Sequence, residues 1–202
     1  MKIRGTQGYA EEAADLQVRY ESFGFEDAHR TVLHLLPHAL GAVLDIGAGT
    51  GRDAAYFAAK GHRVVAVEPT DALRILAAEL HPSPSIEWIH DGLPELERIV
   101  ARRENFDLIL MSAVWMHLDA AERRRAMPIV ASLLAPGGAM IMTLRHGAVP
   151  EGRRMFAVTA EETVNLARAQ ELNTKFNQLA ESRQNANRRA GVSWTTLVFA
   201  KN

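Results

Sequence analysis

In the stretch VLDIGAGTGRD, Asp45 precedes three glycines set two apart, Gly47, Gly49 and Gly51, with Ala48, Thr50 and Asp53 between or just after them. Glycines at that spacing let the chain turn through backbone angles other residues avoid, and they bring main-chain N–H groups against a ligand with no Cβ in the way. An apolar run leads into the loop and a helical pattern leaves it, which sets it at the carboxyl end of a strand, where open α/β sheets bind ligands. A dinucleotide loop wants a small residue three positions after Gly49. Arg52 stands there, too bulky for close approach to a pyrophosphate. Glu68 closes the next apolar run about 20 residues on, where a carboxylate accepts hydrogen bonds from ribose hydroxyls. His117 follows a later run and has the ordinary pKa of a general base near neutrality. Arg145 and His146 end another and offer contacts to an anion.

The pattern D-x-G-x-G-x-G from Asp45 to Gly51 resembles motif I of the class I S-adenosylmethionine-dependent methyltransferases. RVVAVE, IHDGLPEL, FDLILMSAVWMHL and LLAPGGAMIMTL resemble four further elements of that family, in its order and spacing over residues 43–144. The resemblance implies S-adenosyl-L-methionine as cofactor, with Asp45, Gly47, Ala48, Gly49, Thr50, Gly51 and Asp53 around its methionine part. The ammonium and sulfonium of that part suit an acidic neighbour better than a phosphate cradle would. The resemblance further implies Glu68 on the ribose, Pro69 and Leu73 beside the adenine, and Asp91 facing the adenine amino group with Gly92 and Leu93 supplying backbone. Ser112, Ala113 and His117 fall at the end of the following strand, with His117 either a catalytic base or a ring packed near the cofactor. Family members often fold an N-terminal helix over the cofactor, so Tyr9 and Tyr20 are expected to touch it. Trp115, Arg145 and His146 are expected to face the substrate, Trp115 as a lid over a flat molecule or else as core.

The implied reaction is methyl transfer by in-line displacement to an O or N atom of a small molecule. The loop is equally what a cofactor-binding regulator without turnover would keep, and a local basic patch would serve a tRNA- or protein-directed enzyme. A nucleotide-dependent oxidoreductase on a similar fold is opposed by Arg52. Absences narrow the acceptor. The chain has no cysteine, which removes covalent C5-methylation of pyrimidines, disulfides and thiolate zinc sites. No Asn/Asp-Pro-Pro-aromatic tetrapeptide follows the FDLILM run, against the amino-methylating DNA enzymes. Ser112 stands where metal-dependent catechol-type members place an acidic ligand, so no metal is expected.

These residues need elements to hold them. Apolar runs at residues 42–46, 63–67, 86–89, 106–111 and 139–144 read as strands of a parallel sheet, with helical patterns at 52–60, 72–80, 96–103 and 120–134 between them. Thr70 is placed to cap the second of these helices, Asp119 with Glu122 to form a capping box, and Pro128 to kink or split the fourth. Ahead of the sheet, residues 9–20 and 26–36 read as helices, the latter with Val32, Leu33, Leu36 and Leu40 on one face. Thr159 and Glu162 cap a helix running to about residue 170. Residues 172–179 fit either a strand or more helix, and VSWTTLVFA after Gly191 reads as a final strand. The expectation is an α/β fold with a doubly wound, mostly parallel seven-stranded sheet, Rossmann-like, its last strand antiparallel. It is one methyltransferase domain over 1–202, with residues 1–40 a helical cap over the cofactor site.

A chain of 202 residues with net charge −1 has the core of one domain and no long-range pull toward nucleic acid. The arginine clusters (Arg102–Arg103, Arg123–Arg125, Arg153–Arg154, Arg188–Arg189) are scattered and read as solvated faces. The stretch MKIRGTQGYAEEAADLQ lacks a signal-peptide core, and no apolar run approaches the roughly 20 residues that span a bilayer. A soluble, cytoplasmic protein with a small-molecule partner is the expectation.

Overall fold

A computed structural model describes residues 3–202; residues 1 and 2 of the expected N-terminal cap lie outside the described residues. The strands are β1 (Ala42–Ile46), β2 (Arg63–Val67), β3 (Ile86–Ile89), β4 (Phe106–Ser112), β5 (Leu134–His146), β6 (Leu172–Glu181) and β7 (Ser193–Lys201). They form one sheet in the order β3-β2-β1-β4-β5-β7-β6. The first five run parallel, and β7 lies antiparallel between β5 and β6. This is the Rossmann-like methyltransferase arrangement, with the final strand reversed as expected.

The helices are α1 (Ala13–Tyr20), α2 (Phe25–His29), α3 (Arg52–Ala59), α4 (Asp71–Leu80), α5 (Glu97–Ala101), α6 (Ala120–Leu133), α7 (Ala160–Arg168) and α8 (Asn185–Arg189). Burial on both faces is why the central strands are apolar throughout. On one side Leu44, Val65, Ile109 and Met140 pack with Ile99 of α5, Met127 and Val130 of α6 and Ala167 of α7. On the other, Val43, Val64, Leu108 and Ile141 pack with Phe25 of α2, Val32, and Ala54 and Phe57 of α3. Among the described residues no helix is long and apolar enough to cross a membrane.

Local signals explain most boundaries. Gly61, with φ +94°, follows α3 as its left-handed terminator. Asp119 accepts from the Ala121 and Glu122 N–H groups while the Glu122 carboxylate accepts from Asp119 N–H, so the capping box is complete. Thr159 likewise accepts from Glu162 N–H at the start of α7.

Four expectations need correction. Pro128 neither splits nor ends α6, which runs unbroken from Ala120 to Leu133. Pro128 and Arg124 are both on its exposed side, so the carbonyl that lost its donor faces water. The helix expected over 26–36 stops at His29 and resumes only as a 3₁₀ turn, Leu33–Leu35, with Val32 at φ −124°. The β-branched pair Thr31–Val32 favours that break. Leu40, expected on one face with Val32, is exposed while Val32 is buried. Thr70 occupies the N-cap position of α4, but its side chain makes no capping bond. The ambiguous stretch from residue 172 is strand.

Candidate active site

The glycine loop is folded against the tip of β2. Gly47 N–H and Ala48 N–H both donate to the Val67 carbonyl, at 2.8 and 2.9 Å. Gly47, Gly49 and Gly51 all have positive φ, at +75°, +59° and +90°. A Cβ on Gly47 would come 2.5 Å from Val114 Cγ2, and one on Gly51 would come 2.6 Å from Trp88 Cη2. Gly49 is different: a Cβ there would meet only the Tyr20 ring, at 3.9 Å, so its open side is space kept for something else.

Three carboxylates surround the loop, each in a different state. Glu68 Oε2 accepts from Gly49 N–H at 2.9 Å and Oε1 from Thr70 N–H at 2.8 Å, tying the loop to the end of β2. Burial pushes its pKa up, against the pull of those two N–H bonds. Asp53, at the start of α3, is fully engaged. Its Oδ2 lies 3.0 Å from His29 Nε2 and accepts from Ser112 Oγ at 2.8 Å, and its Oδ1 accepts from Arg52 Nε at 2.7 Å. Burial alone would raise Asp53, but His29, Arg52 and Ser112 outweigh it and hold the carboxyl below its ordinary range. Asp45 has no such company: its Oδ2 is buried without a partner. Burial, then the negative charge of Asp53, lift its pKa well above the usual value.

The segment ahead of the sheet closes over the loop. Thr50 Oγ1 donates to the Glu21 carboxylate at 2.5 Å, and Arg52 reaches back to the Tyr20 carbonyl at 3.4 Å and lies 4.8 Å from the centre of the Phe23 ring. The Tyr9 hydroxyl meets His117 Nε2, and the Arg153 guanidinium covers the Tyr9 ring at 4.2 Å. Burial and the adjoining Tyr20 raise the Tyr9 pKa. Burial lowers that of His117, against its bond to the Arg154 carbonyl.

These residues surround a cavity of about 510 Å³ lined by Tyr9, Tyr20, Asp45, Gly47, Ala48, Gly49, Thr50, Asp53, Ser112, Ala113 and Arg145 among others. Asp91, Gly92 and Leu93 line a separate groove of about 500 Å³. Ile3 packs against this groove: a Cβ on Gly92 would lie 2.7 Å from Ile3 Cγ2 and 3.5 Å from Pro69 Cβ. Gly51, Glu68, Pro69, Leu73 and His117 line neither space. The Asp91 carboxylate accepts from the N–H groups of Gly92, Arg98 and Ile99 and so caps α5, the work of a turn former. Trp115 is fully buried in the core with its indole N–H unpartnered, and does not face the cavity. His146 lies outside the cavity lining and pairs with Thr195 Oγ1 at 2.8 Å. Among the described residues no group of three His, Asp or Glu side chains is placed to hold a metal ion.

Sequence reasoning missed His29, Glu21, Arg153 and Trp194. His29 and Glu21 lie in a polar stretch with no spacing signal. Arg153, read as solvated, has a side chain only 6% exposed and is held by the Glu12 carboxylate and the Gln7 carbonyl. Arg123 is buried against Glu162, a second departure from that reading.

Residues 43–138 match a family model described as a methyltransferase domain. Methyltransferases without assigned substrate from Mycobacterium bovis and Mycobacterium tuberculosis are 37% identical over 105 residues, 52% of this chain and 40% of theirs. The chain therefore matches less than half the length of those curated relatives. Among solved structures, the 1,6-didemethyltoxoflavin-N1-methyltransferase of Burkholderia thailandensis, bound to 1,6-didemethyltoxoflavin and S-adenosylhomocysteine, superposes with a TM-score of 0.72. It is 22% identical, over 96% of this chain and 85% of that one. A TehB-like S-adenosylmethionine-dependent methyltransferase from Corynebacterium glutamicum gives 0.70 at 19% identity, over 96% and 98%. The N-methyltransferase NodS of Bradyrhizobium japonicum with S-adenosylhomocysteine gives 0.68 at 20%, over 91% and 90%. Over residues 43–138 the chain is similar to the methyltransferase-domain family, and along most of its length it shares the fold of these solved structures.

Proposed function

We propose that this chain is a class I S-adenosylmethionine-dependent methyltransferase, which moves a methyl group from S-adenosylmethionine to an oxygen or nitrogen of a small molecule held in the 510 Å³ cavity. The observation that carries the reading is Asp45, a buried carboxylate with an unpartnered oxygen, bordering a cavity whose wall is the glycine loop. An unpaired buried carboxylate is costly unless a cation completes it, and the ammonium of the cofactor's methionine part is such a cation. The open face of Gly49 fits the same guest, and Glu68, which lines neither space, would act on it through the Gly49 N–H that it holds. When bound, the cofactor would supply an electrophilic methyl carbon for transfer from its sulfonium to the acceptor, whose proton would go to solvent or a base.

The chain's own residues would hold and align. Asp53 supports the site indirectly, by fixing His29, Ser112 and Arg52. His117 would position Tyr9 and not draw a proton from the acceptor, because both its ring nitrogens are occupied. Displacement at a sulfonium asks mainly for alignment and exclusion of water. The small-molecule acceptor is supported by the enclosing cap and by the Burkholderia neighbour's bound 1,6-didemethyltoxoflavin.

Calorimetric titration with S-adenosylmethionine and S-adenosylhomocysteine tests the reading. Binding in roughly the micromolar to sub-millimolar range typical of enzyme substrates is expected. Next, protein plus methyl-labelled cofactor is incubated with fractionated small-molecule extract, and label is sought in product by mass spectrometry. No binding of either cofactor form at millimolar concentration would overturn the proposal.

A further inference from the structure

The face of the sheet that β5, β7 and β6 turn toward α3 is apolar through the core, where Ile141 sits beside Val198 and Val198 beside Phe176. Side chains on one face recur every second residue, so neighbouring strands in register form rows across it. The next row on this face is Thr143, Thr196 and Gln178, and the one after is Arg145, Trp194 and Ala180. All six line the large cavity. The face turns from core to polar floor within one step, and the floor then includes the half-buried Trp194 ring, which packs against the edge of the core and also lines the cavity.

The charges around that floor are unevenly matched. Arg153 is taken by Glu12 and Arg52 by Asp53, while Arg183 feels Asp27 nearby. Arg145 has no carboxylate partner among the described residues; its guanidinium makes one hydrogen bond, Nη1 to the Ala148 carbonyl at 2.8 Å. At the other end of the floor Thr143 Oγ1 accepts from Ala113 N–H at 2.8 Å, which joins the floor to the β4 end beside Ser112 and the glycine loop.

We propose that this floor is the acceptor subsite, and that it takes a planar aromatic molecule bearing a carboxylate, with its ring against Trp194 and its anionic group on Arg145. Aromatic stacking and a charge-assisted, two-pronged bond to a guanidinium are the recognition such a pair offers. Thr143, Thr196 and Gln178 present hydroxyl and amide groups to polar ring atoms. The role as acceptor subsite rests on the transferase reading above; binding of an aromatic anion to the floor does not.

The probes are 2-naphthoate and its neutral isostere 2-naphthamide, added to protein saturated with S-adenosylhomocysteine. Binding is followed by calorimetry and by the tryptophan indole N–H resonances, with that of Trp194 assigned by Trp194→Phe. Expected are saturable binding of 2-naphthoate at least fivefold tighter than of 2-naphthamide, movement of the Trp194 resonance and a still resonance for buried Trp115. Arg145→Gln should erase the preference and Arg145→Lys should restore part of it, with S-adenosylhomocysteine affinity and melting temperature unchanged in both. Absence of saturable 2-naphthoate binding up to about 10 mM, a limit weaker than ordinary substrate affinities, overturns the proposal. Equal binding of the two probes, or an unaltered preference in Arg145→Gln, also overturns it. If S-adenosylhomocysteine itself does not bind, the transferase reading fails, and the same titrations on the free protein still decide the floor.

Discussion

The Tyr9 hydroxyl lies 3.0 Å from His117 Nε2, and the opposite ring nitrogen of His117, Nδ1, lies 2.8 Å from the Arg154 carbonyl. A carbonyl only accepts, so Nδ1 carries the proton and Nε2 accepts from Tyr9. The histidine is a bracket between two loops, with no lone pair left for an acceptor. His117→Ala is expected to weaken cofactor binding and leave turnover at saturation nearly unchanged. A fall in turnover of roughly 10²–10⁴-fold with unaltered binding is what a general base would give. Steady-state kinetics, once an acceptor is in hand, separates the two.

Glu68 has two tasks, because the oxygens expected on the ribose also hold Gly49 and Thr70. Glu68→Ala should weaken S-adenosylhomocysteine binding by about 1–3 kcal/mol, the range for a hydrogen bond to a charged group, and should also lower the melting temperature of the free protein. Glu68→Gln keeps one acceptor and should fall between the two proteins in both calorimetry and thermal melting.

The glycines should not be equivalent. Alanine at Gly49 or Gly51 meets the left-handed penalty of about 1–2 kcal/mol. Only Gly51→Ala adds a collision, with Trp88. Chemical denaturation should therefore rank Gly51→Ala as clearly less stable than Gly49→Ala. Gly49→Val should stay folded by circular dichroism and lose cofactor binding, since its side chain fills the open space at the loop.

Asp45 couples cofactor binding to pH. Its carboxyl is held above its ordinary 3.8 by burial and by Asp53 and Glu68, against Arg52. In the free protein its ionisation opposes folding as pH rises through the shifted value. Asp53, held low, supports the fold above its ordinary pKa, and that support is lost as pH falls through the lowered one. An incoming ammonium favours ionised Asp45, so binding should expel a proton. Affinity should climb with pH until the raised carboxyl of the free protein is ionised, and level off beyond that. Calorimetry in buffers of different ionisation enthalpy reads that proton, and Asp45→Asn should abolish it.

The central sheet and the loop were legible because their signals are short-range: continuous apolar strands, glycines two apart, capping residues three apart. Trp115 and Trp194 show where legibility stops. Both lie beside chemistry-bearing residues, but only the pairing of β5 with β7, nearly fifty residues apart in the chain, sets Trp194 opposite Arg145. Asp91 shows a second limit, because a carboxylate that caps a short helix and one that meets a ligand have the same sequence context. Arg153 shows a third: its partners, Gln7 and Glu12, come from far upstream.

Strand β7 is synthesised after β6 yet lies between it and β5. Until β7 emerges from the ribosome, β5 keeps an open edge and β6 has no neighbour to pair with. Lys201, which binds the Ala131 and Leu134 carbonyls at 3.0 and 2.7 Å, cannot yet close the end of α6. The β1–β4 half that carries the glycine loop can assemble during translation, while the wall bearing Arg145 and Trp194 is completed last. Nascent chains halted before β7 would therefore expose a pairing-competent edge, the kind of surface that chaperones cover and aggregates recruit.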